Sequence, residues 1–115
     1  MSVERTDRAS CVLLVVWGDL DLATGGKLLA AACAVLRERG GRPVVLDLSG
    51  LAFVGSVGFS ELLMIRHEAT TYAQEMRIVT GSNRQLRRLL GSLGSLRRYD
   101  SVEEACQVHG TITGP

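Results

Sequence analysis

The residues best placed to do chemistry lie in one short stretch, Ser49 to Ser60, which reads SGLAFVGSVGFS. Ser56 stands where an apolar strand run gives way to a helical pattern. A hydroxyl there would sit beside the unpaired N–H groups and the positive dipole end of a helix. That environment stabilises an anion, including a phosphate carried on the hydroxyl. Such a phosphate adds roughly −1.5 to −2 charges and changes which partner fits. Gly55 and Gly58 keep bulk low around the serine. Serine is equally a preferred N-cap, so Ser56 also has a purely structural role open to it.

Other groups offer less. Asp19 and Asp21 lie two apart at a strand end and would point to one side of an extended chain, as a metal or proton-transfer pair or as a surface turn. His67 and His109 have no partner at metal-ligand spacing. No nucleophile elbow or phosphate-binding loop is present, and no catalytic set assembles. Cys11, Cys33 and Cys106 are too few and too widely spaced for a zinc site or a disulfide framework. All three fall in apolar stretches and are expected to be packing residues of a reduced protein. A redox link between two of them would need Cα atoms within roughly 7 Å. Arg84, Arg87 and Arg88 share a helical face, with Arg97 and Arg98 following. This is a solvated face or a docking surface for an acidic partner.

These residues must be positioned by alternating strands and helices. Cys11–Trp17 and Val44–Leu48 are β-branched apolar runs that read as buried strands, and Met76–Thr80 as a third. Ser49–Gly55 reads as a connecting loop, with Ser56 capping the next helix, which extends to about Tyr72. Its expected face is Phe59, Leu62, Leu63 and Arg66. A helix from about Thr24 to Arg39 carries Leu28, Ala32, Val35 and Leu36 on one side, with Thr24 as its cap. Leu86, Leu89, Leu90 and Leu93 mark a short helix capped by Ser82 or Asn83. Leu96–Tyr99 reads as an edge strand, and Ser101 with Glu104 forms a capping box for a last helix bearing Val102, Ala105 and Cys106. Only Val3 suggests an additional N-terminal strand, antiparallel to the next. The alternation predicts an α/β fold: a mixed, mostly parallel sheet covered by about four helices.

The chain has 115 residues, 46% hydrophobic and 22% charged, which suits one domain over 1–115 with its core at about 11–108 and a frayed tail at 110–115. Thirteen Lys/Arg against twelve Asp/Glu leave a net charge of +1, without the basic excess that a nucleic-acid binder uses. No apolar run reaches membrane-spanning length, and the N-terminal MSVERTDRAS has no apolar signal segment. A cytoplasmic protein without direct membrane contact is expected.

Three segments carry a resemblance. Gly18-Asp19-Leu20-Asp21-Leu22-Ala23-Thr24 resembles the G-E-L-D-x-x-T segment of STAS domains. Val45 to Val54, VLDLSGLAFV, resembles their V-x-L-D-L-S-G-V-x-F-x-D-S-S-G signature, and Arg98 to Ala105, RYDSVEEA, their Y-D-S-x-E-E-A close. The order and length resemble bacterial anti-sigma-factor antagonists. The resemblance implies a non-catalytic switch protein without cofactor or metal. Its partner would be an anti-sigma factor of the serine-kinase type. The implied contact residues are Asp21, Val54, Gly55, Ser56, Val57, Gly58, Phe59 and Ser60; a homodimer is left open. In the family the serine directly before the glycine of D-S-S-G is phosphorylated. Here Val57 stands at that position and has no hydroxyl, and Gly55 replaces the aspartate. Use of Ser56 instead would turn the hydroxyl by about 100° on a helix. Phosphorylation at the usual position is therefore not expected. Small STAS subunits of lipid ABC transport complexes, which bind an ATPase subunit, are the second reading. A nucleotide or redox sensor is a third, supported only by the acid pair and the cysteines.

Overall fold

Val44 to Leu48 contains no residue that water would hold at the surface except Asp47, and it becomes the middle of a sheet. The computed structural model describes residues 1–21, 23–38, 40–91 and 97–107. Among them the order is β1 (Ser2–Asp7), β2 (Val12–Leu20), α1 (Gly25–Glu38), β3 (Val44–Val54), α2 (Ser56–Thr71), β4 (Met76–Val79), α3 (Arg84–Gly91), β5 (Arg97–Tyr99) and α4 (Val102–Gln107). The five strands lie in the order β1-β2-β3-β4-β5. β1 pairs antiparallel with β2, and every other neighbouring pair is parallel. The α/β expectation of a mixed, mostly parallel sheet with four helices therefore holds.

Alternation along the strands divides the core. Val12, Leu14 and Val16 of β2, with Val44, Leu46 and Leu48 of β3, join Leu28 and Leu36 of α1, Leu62 and Ile65 of α2, and Leu86 and Leu90 of α3. Leu13, Val45 and Val79 face the other way, into a smaller cluster with Cys11 and the α4 residues Ala105 and Cys106. Arg77 is 3% exposed on β4; its guanidinium donates to the Glu75 carboxylate (2.7 Å) and to the Ala105 carbonyl of α4 (2.6 Å). A buried charge is tolerated because both bonds are made.

The antiparallel N-terminal strand suggested by Val3 is present, and several other elements differ from the sequence reading. β1 is a full six-residue strand although its side chains are mostly exposed. Backbone pairing to β2, the packing of Val3 on the larger core and the ion pair of Arg5 with Glu38 of α1 hold it there. Residues 49–54, expected to be loop, continue β3 through two register shifts against β2. Leu51 and Val54 are buried and keep the chain on the sheet, while Gly50 lies against Trp17, where a Cβ would stand 3.0 Å from the Trp17 Cβ. The α2 face is rotated from the expected one. Gly58, Glu61, Leu62, Ile65 and Ala69 are buried, whereas Phe59, Leu63 and Arg66 are half-buried. The α1 face and the leucines 86 and 90 of α3 are buried as read. Asn83 is the α3 cap, its Oδ1 accepting the Leu86 N–H (3.1 Å). The Ser101 Oγ accepts the Glu104 N–H (3.1 Å), while the Glu104 carboxylate turns to the Asp100 N–H (3.2 Å). Leu22, Arg39, Leu93, Leu96, His109 and the tail at 110–115 lie outside the described residues.

Leu46 is fully buried on the central strand of the larger core. Leu46→Ala is expected to cost about 2–5 kcal/mol, read as a lower urea midpoint with unchanged slope. A midpoint shift near zero would contradict this core assignment.

Candidate functional site

The Ser56 region is built on the end of β2. β4 pairs with β3 only through Asp47, so residues 48–54 have no strand neighbour on that side among the described residues. Side chains at the start of α3 replace it. The Asn83 amide donates to the Leu51 carbonyl (2.9 Å). The Gln85 amide donates to the Val54 carbonyl (3.0 Å), and its oxygen accepts the Val54 N–H (3.3 Å). One glutamine side chain thus copies a strand pairing for a buried residue.

Beyond Val54 the chain is caught by Leu20. The Gly55 N–H donates to the Leu20 carbonyl (3.0 Å), and Gly55 is extended, with φ −84° and ψ 179°. Gly55 is therefore the N-cap of α2, and no side chain caps it. This corrects the expectation that Ser56 is the cap: Ser56 is the first helical residue and its side chain is exposed. The bond to Leu20 fixes Gly55 in the cap conformation, which moves the start one residue earlier. The Phe53 ring lies over Gly55, where a Cβ would stand 3.2 Å from a ring carbon. At Gly58 a Cβ would stand 2.9 Å from Leu20 Cγ and 3.1 Å from the Leu20 carbonyl oxygen. Glycine there permits α2 to seat directly on β2.

The eight residues singled out from sequence separate into support and rim. Val54 and Gly58 are buried; Gly55 and Phe59 are half-buried. Ser56, Val57 and Ser60 are exposed, with Val57 at 38%. Asp21 is half-buried and committed locally: its carboxylate accepts the Ala23 N–H (3.0 Å) and the Thr24 N–H (3.2 Å). The Thr24 hydroxyl, expected as a helix cap, instead donates to the Asp19 carbonyl (2.7 Å) and accepts the Asp21 N–H (3.1 Å). A tight turn competes for these groups at the strand end.

Two further exposed apolar residues, one at the end of β3 and one in α2, were not selected from sequence. Phe53 is 48% exposed and Met64 53% exposed. Val57, Ser60, Met64 and His67 recur at helical spacing along the open side of α2, a signal available in the sequence. This stripe borders a groove of about 620 Å³ between α1 and α2, lined by Leu29, Ala30, Cys33, Met64 and His67. Beneath it Glu61 is 5% exposed and its Oε1 accepts the Leu29 N–H (2.7 Å). Burial raises the Glu61 carboxyl above its ordinary range, opposed in part by the Leu29 bond. The basic side chains Arg84, Arg87 and Arg88 are exposed on α3; Arg87 is paired with Asp100. Among the described residues no group of three or more His, Cys, Asp or Glu could hold a metal ion, and no helix is long and apolar enough to cross a membrane.

The family model described as "Mlab, STAS domain" matches residues 3–96, and the chain belongs to the STAS family. Its fold is shared by an anti-sigma factor antagonist from Mycobacterium paratuberculosis, 24% identical over 90% of this chain and 89% of that one, with a TM-score of 0.77. It is shared by an anti-sigma-factor antagonist (STAS) domain protein from Planctomyces limnophilus, 19% identical over 90% and 93%, TM-score 0.74. The Bacillus cell fate determinant SpoIIAA in its phosphorylated form is similar at 17% identity over 90% and 96%, TM-score 0.68. No curated protein matches the sequence.

Two outcomes follow from this geometry. Gln85→Ala unpairs both backbone groups of buried Val54; it is expected to cost about 1–3 kcal/mol and to speed amide exchange at Val54. Unchanged exchange there would contradict the surrogate-strand role. For Glu61, the protonated form carries no charge to desolvate and the ionised form does. Its contribution is therefore complete below the ordinary value of 4.5 and is lost as pH rises through the raised folded value. Glu61→Gln should unfold at higher urea than the native chain at about pH 7, and the gap should close at about pH 4. A gap that widens on acidification would reverse the assignment.

Proposed function

We propose that this chain is an anti-sigma-factor antagonist-like module that works by binding, not by catalysis, in the cytoplasm. Its partner is an anti-sigma factor of the serine-kinase type, and engagement releases the sigma factor. The contact surface is the rim from Phe53 through Ser60, extended along α2 to Met64. The observation that carries this reading is the exposed Val57 at the start of α2 with the exposed Met64 two turns further along the same side of that helix, and the exposed Phe53 packed on Gly55 at the end of β3. Separately exposed apolar residues are ordinary on protein surfaces, but Met64 also lines the groove between α1 and α2, and an apolar groove has the character of an interface core. Structural neighbours that are anti-sigma-factor antagonists support the same kind of partner.

Val57 at the acceptor position sets the mode of regulation. A valine accepts no phosphoryl group, and the exposed Ser56 hydroxyl lies one residue earlier on the helix. Binding on this reading is constitutive or governed by something other than phosphorylation at the usual site. The second reading, a STAS subunit seated against the ATPase of a lipid ABC transport complex, is favoured by the description of the matched family model, which names the Mlab STAS domain. Co-purification separates them: a kinase-like anti-sigma factor supports the first, and an ATPase with a permease the second.

The regulatory part has its own test. Incubated with the co-purified kinase and ATP, Val57→Ser should take up label and the native chain should not. Label on native Ser56 would overturn the non-switching reading. Val57→Asp places a charge in the apolar set and should weaken partner binding at least about tenfold, measured by calorimetry. Undiminished affinity would remove the rim from the contact.

A further inference from the structure

The fold brings together two cysteines that are 95 positions apart. Cys11, just before β2, and Cys106, in α4, have their sulfurs 2.7 Å apart, and both thiols are free. Cys33 is buried separately in α1, on the opposite side of the sheet. The pair lies in the smaller core, on the face covered by α4. The two thiols differ in access. Cys11 is completely buried, whereas Cys106 is 7% exposed and lines a surface depression of about 390 Å³ with Arg8, Ser10, Glu103 and Gln107. We propose that Cys11 and Cys106 are a redox site, in which a small-molecule disulfide entering beside Arg8 converts the pair to an intramolecular disulfide that bolts α4 to the start of β2.

The step balances as thiol–disulfide exchange. Cys106, deprotonated, attacks one sulfur of the oxidant RSSR; the new Cys106–S–SR bond forms as the S–S bond of the oxidant breaks and RS⁻ leaves. Cys11 then gives up its proton and attacks the Cys106 sulfur, the Cys11–Cys106 bond forms, and the second RS⁻ leaves. The two thiol protons end on the two RSH products, so the protein is oxidised by two electrons and RSSR is reduced. Access assigns the order. Burial, then the adjacent Cys106, raises the Cys11 thiol above its usual range, so it stays protonated until Cys106 presents an activated sulfur. The depression offers one cation, Arg8, and one carboxylate, Glu103, which suits a zwitterionic disulfide such as glutathione disulfide, whose carboxylates and ammonium groups find a partner of each sign. Because the bond closes most of the chain into one loop, its effect on the unfolded state is large.

The native chain incubated with glutathione disulfide should fall from three free thiols to one, with peptide mapping placing the bond between Cys11 and Cys106 and leaving Cys33 free. The oxidised form should melt higher by about 10 °C or more. Cys11→Ser should stop at a glutathione adduct on Cys106, and Cys33→Ser should behave as the native chain does. Retention of three free thiols, a bond involving Cys33, a stable glutathione adduct on the native chain, or an oxidised form that melts no higher would each overturn the proposal. None of these readouts depends on the partner, so the redox site stands or falls apart from the proposed function.

Discussion

The seat of α2 on the last residue of β2 is the contact on which the rim depends. Leu20 serves it in two ways: its carbonyl accepts the Gly55 N–H, and its fully buried side chain fills the space that a Cβ at residue 58 would need. Without both, α2 would start later and stand farther from the sheet. Val57 and Ser56 would then face other directions. The strand extension to Val54, the glutamine that pairs with it and the glycines on either side of Ser56-Val57 all serve this one junction.

On the proposed reading a well-supported rim has a use. An interface loses affinity when its own side chains and loops must be ordered on binding. The rim is instead held by backbone bonds to buried groups and by packing beneath it, so that Phe53, Val57 and Met64 are exposed on a fixed base. The same construction leaves Asp21 engaged with its own turn, even though it occupies a motif position. The opposite face of the sheet is organised differently: among the described residues one short helix, held by the buried guanidinium of Arg77 and by the small core around Cys11 and Cys106, covers it.

Much of this was legible in the residues. The strands at Val12, Val44 and Met76 and the α1 face follow from apolar runs and helical spacing, because burial dictates both. What sequence did not show were features set by pairing rather than by hydrophobicity. β1 is mostly exposed, and Val3 alone suggests it; its pairing to β2 and the Arg5–Glu38 ion pair supply the rest. Residues 49–54 carry Ser49, Gly50 and Ala52, which read as loop, but Leu51 and Val54 hold them on the sheet across the register shifts. The α2 face was misjudged because it includes a glycine and a buried glutamate, neither of which registers as apolar. The Ser56 position was located, yet the cap belongs to Gly55, since the deciding bond comes from a strand 35 residues away. The meeting of Cys11 and Cys106 is a product of topology alone.

The central claim is that the surface around the start of α2 is what the partner touches. Amide chemical-shift mapping on titration with the co-purified partner tests it most directly. The account predicts that the largest changes fall at residues 53–60 and along α2 to His67, with α4 and β5 little affected. Changes confined to the arginine-bearing face of α3 and β5, with residues 53–60 unmoved, would contradict it.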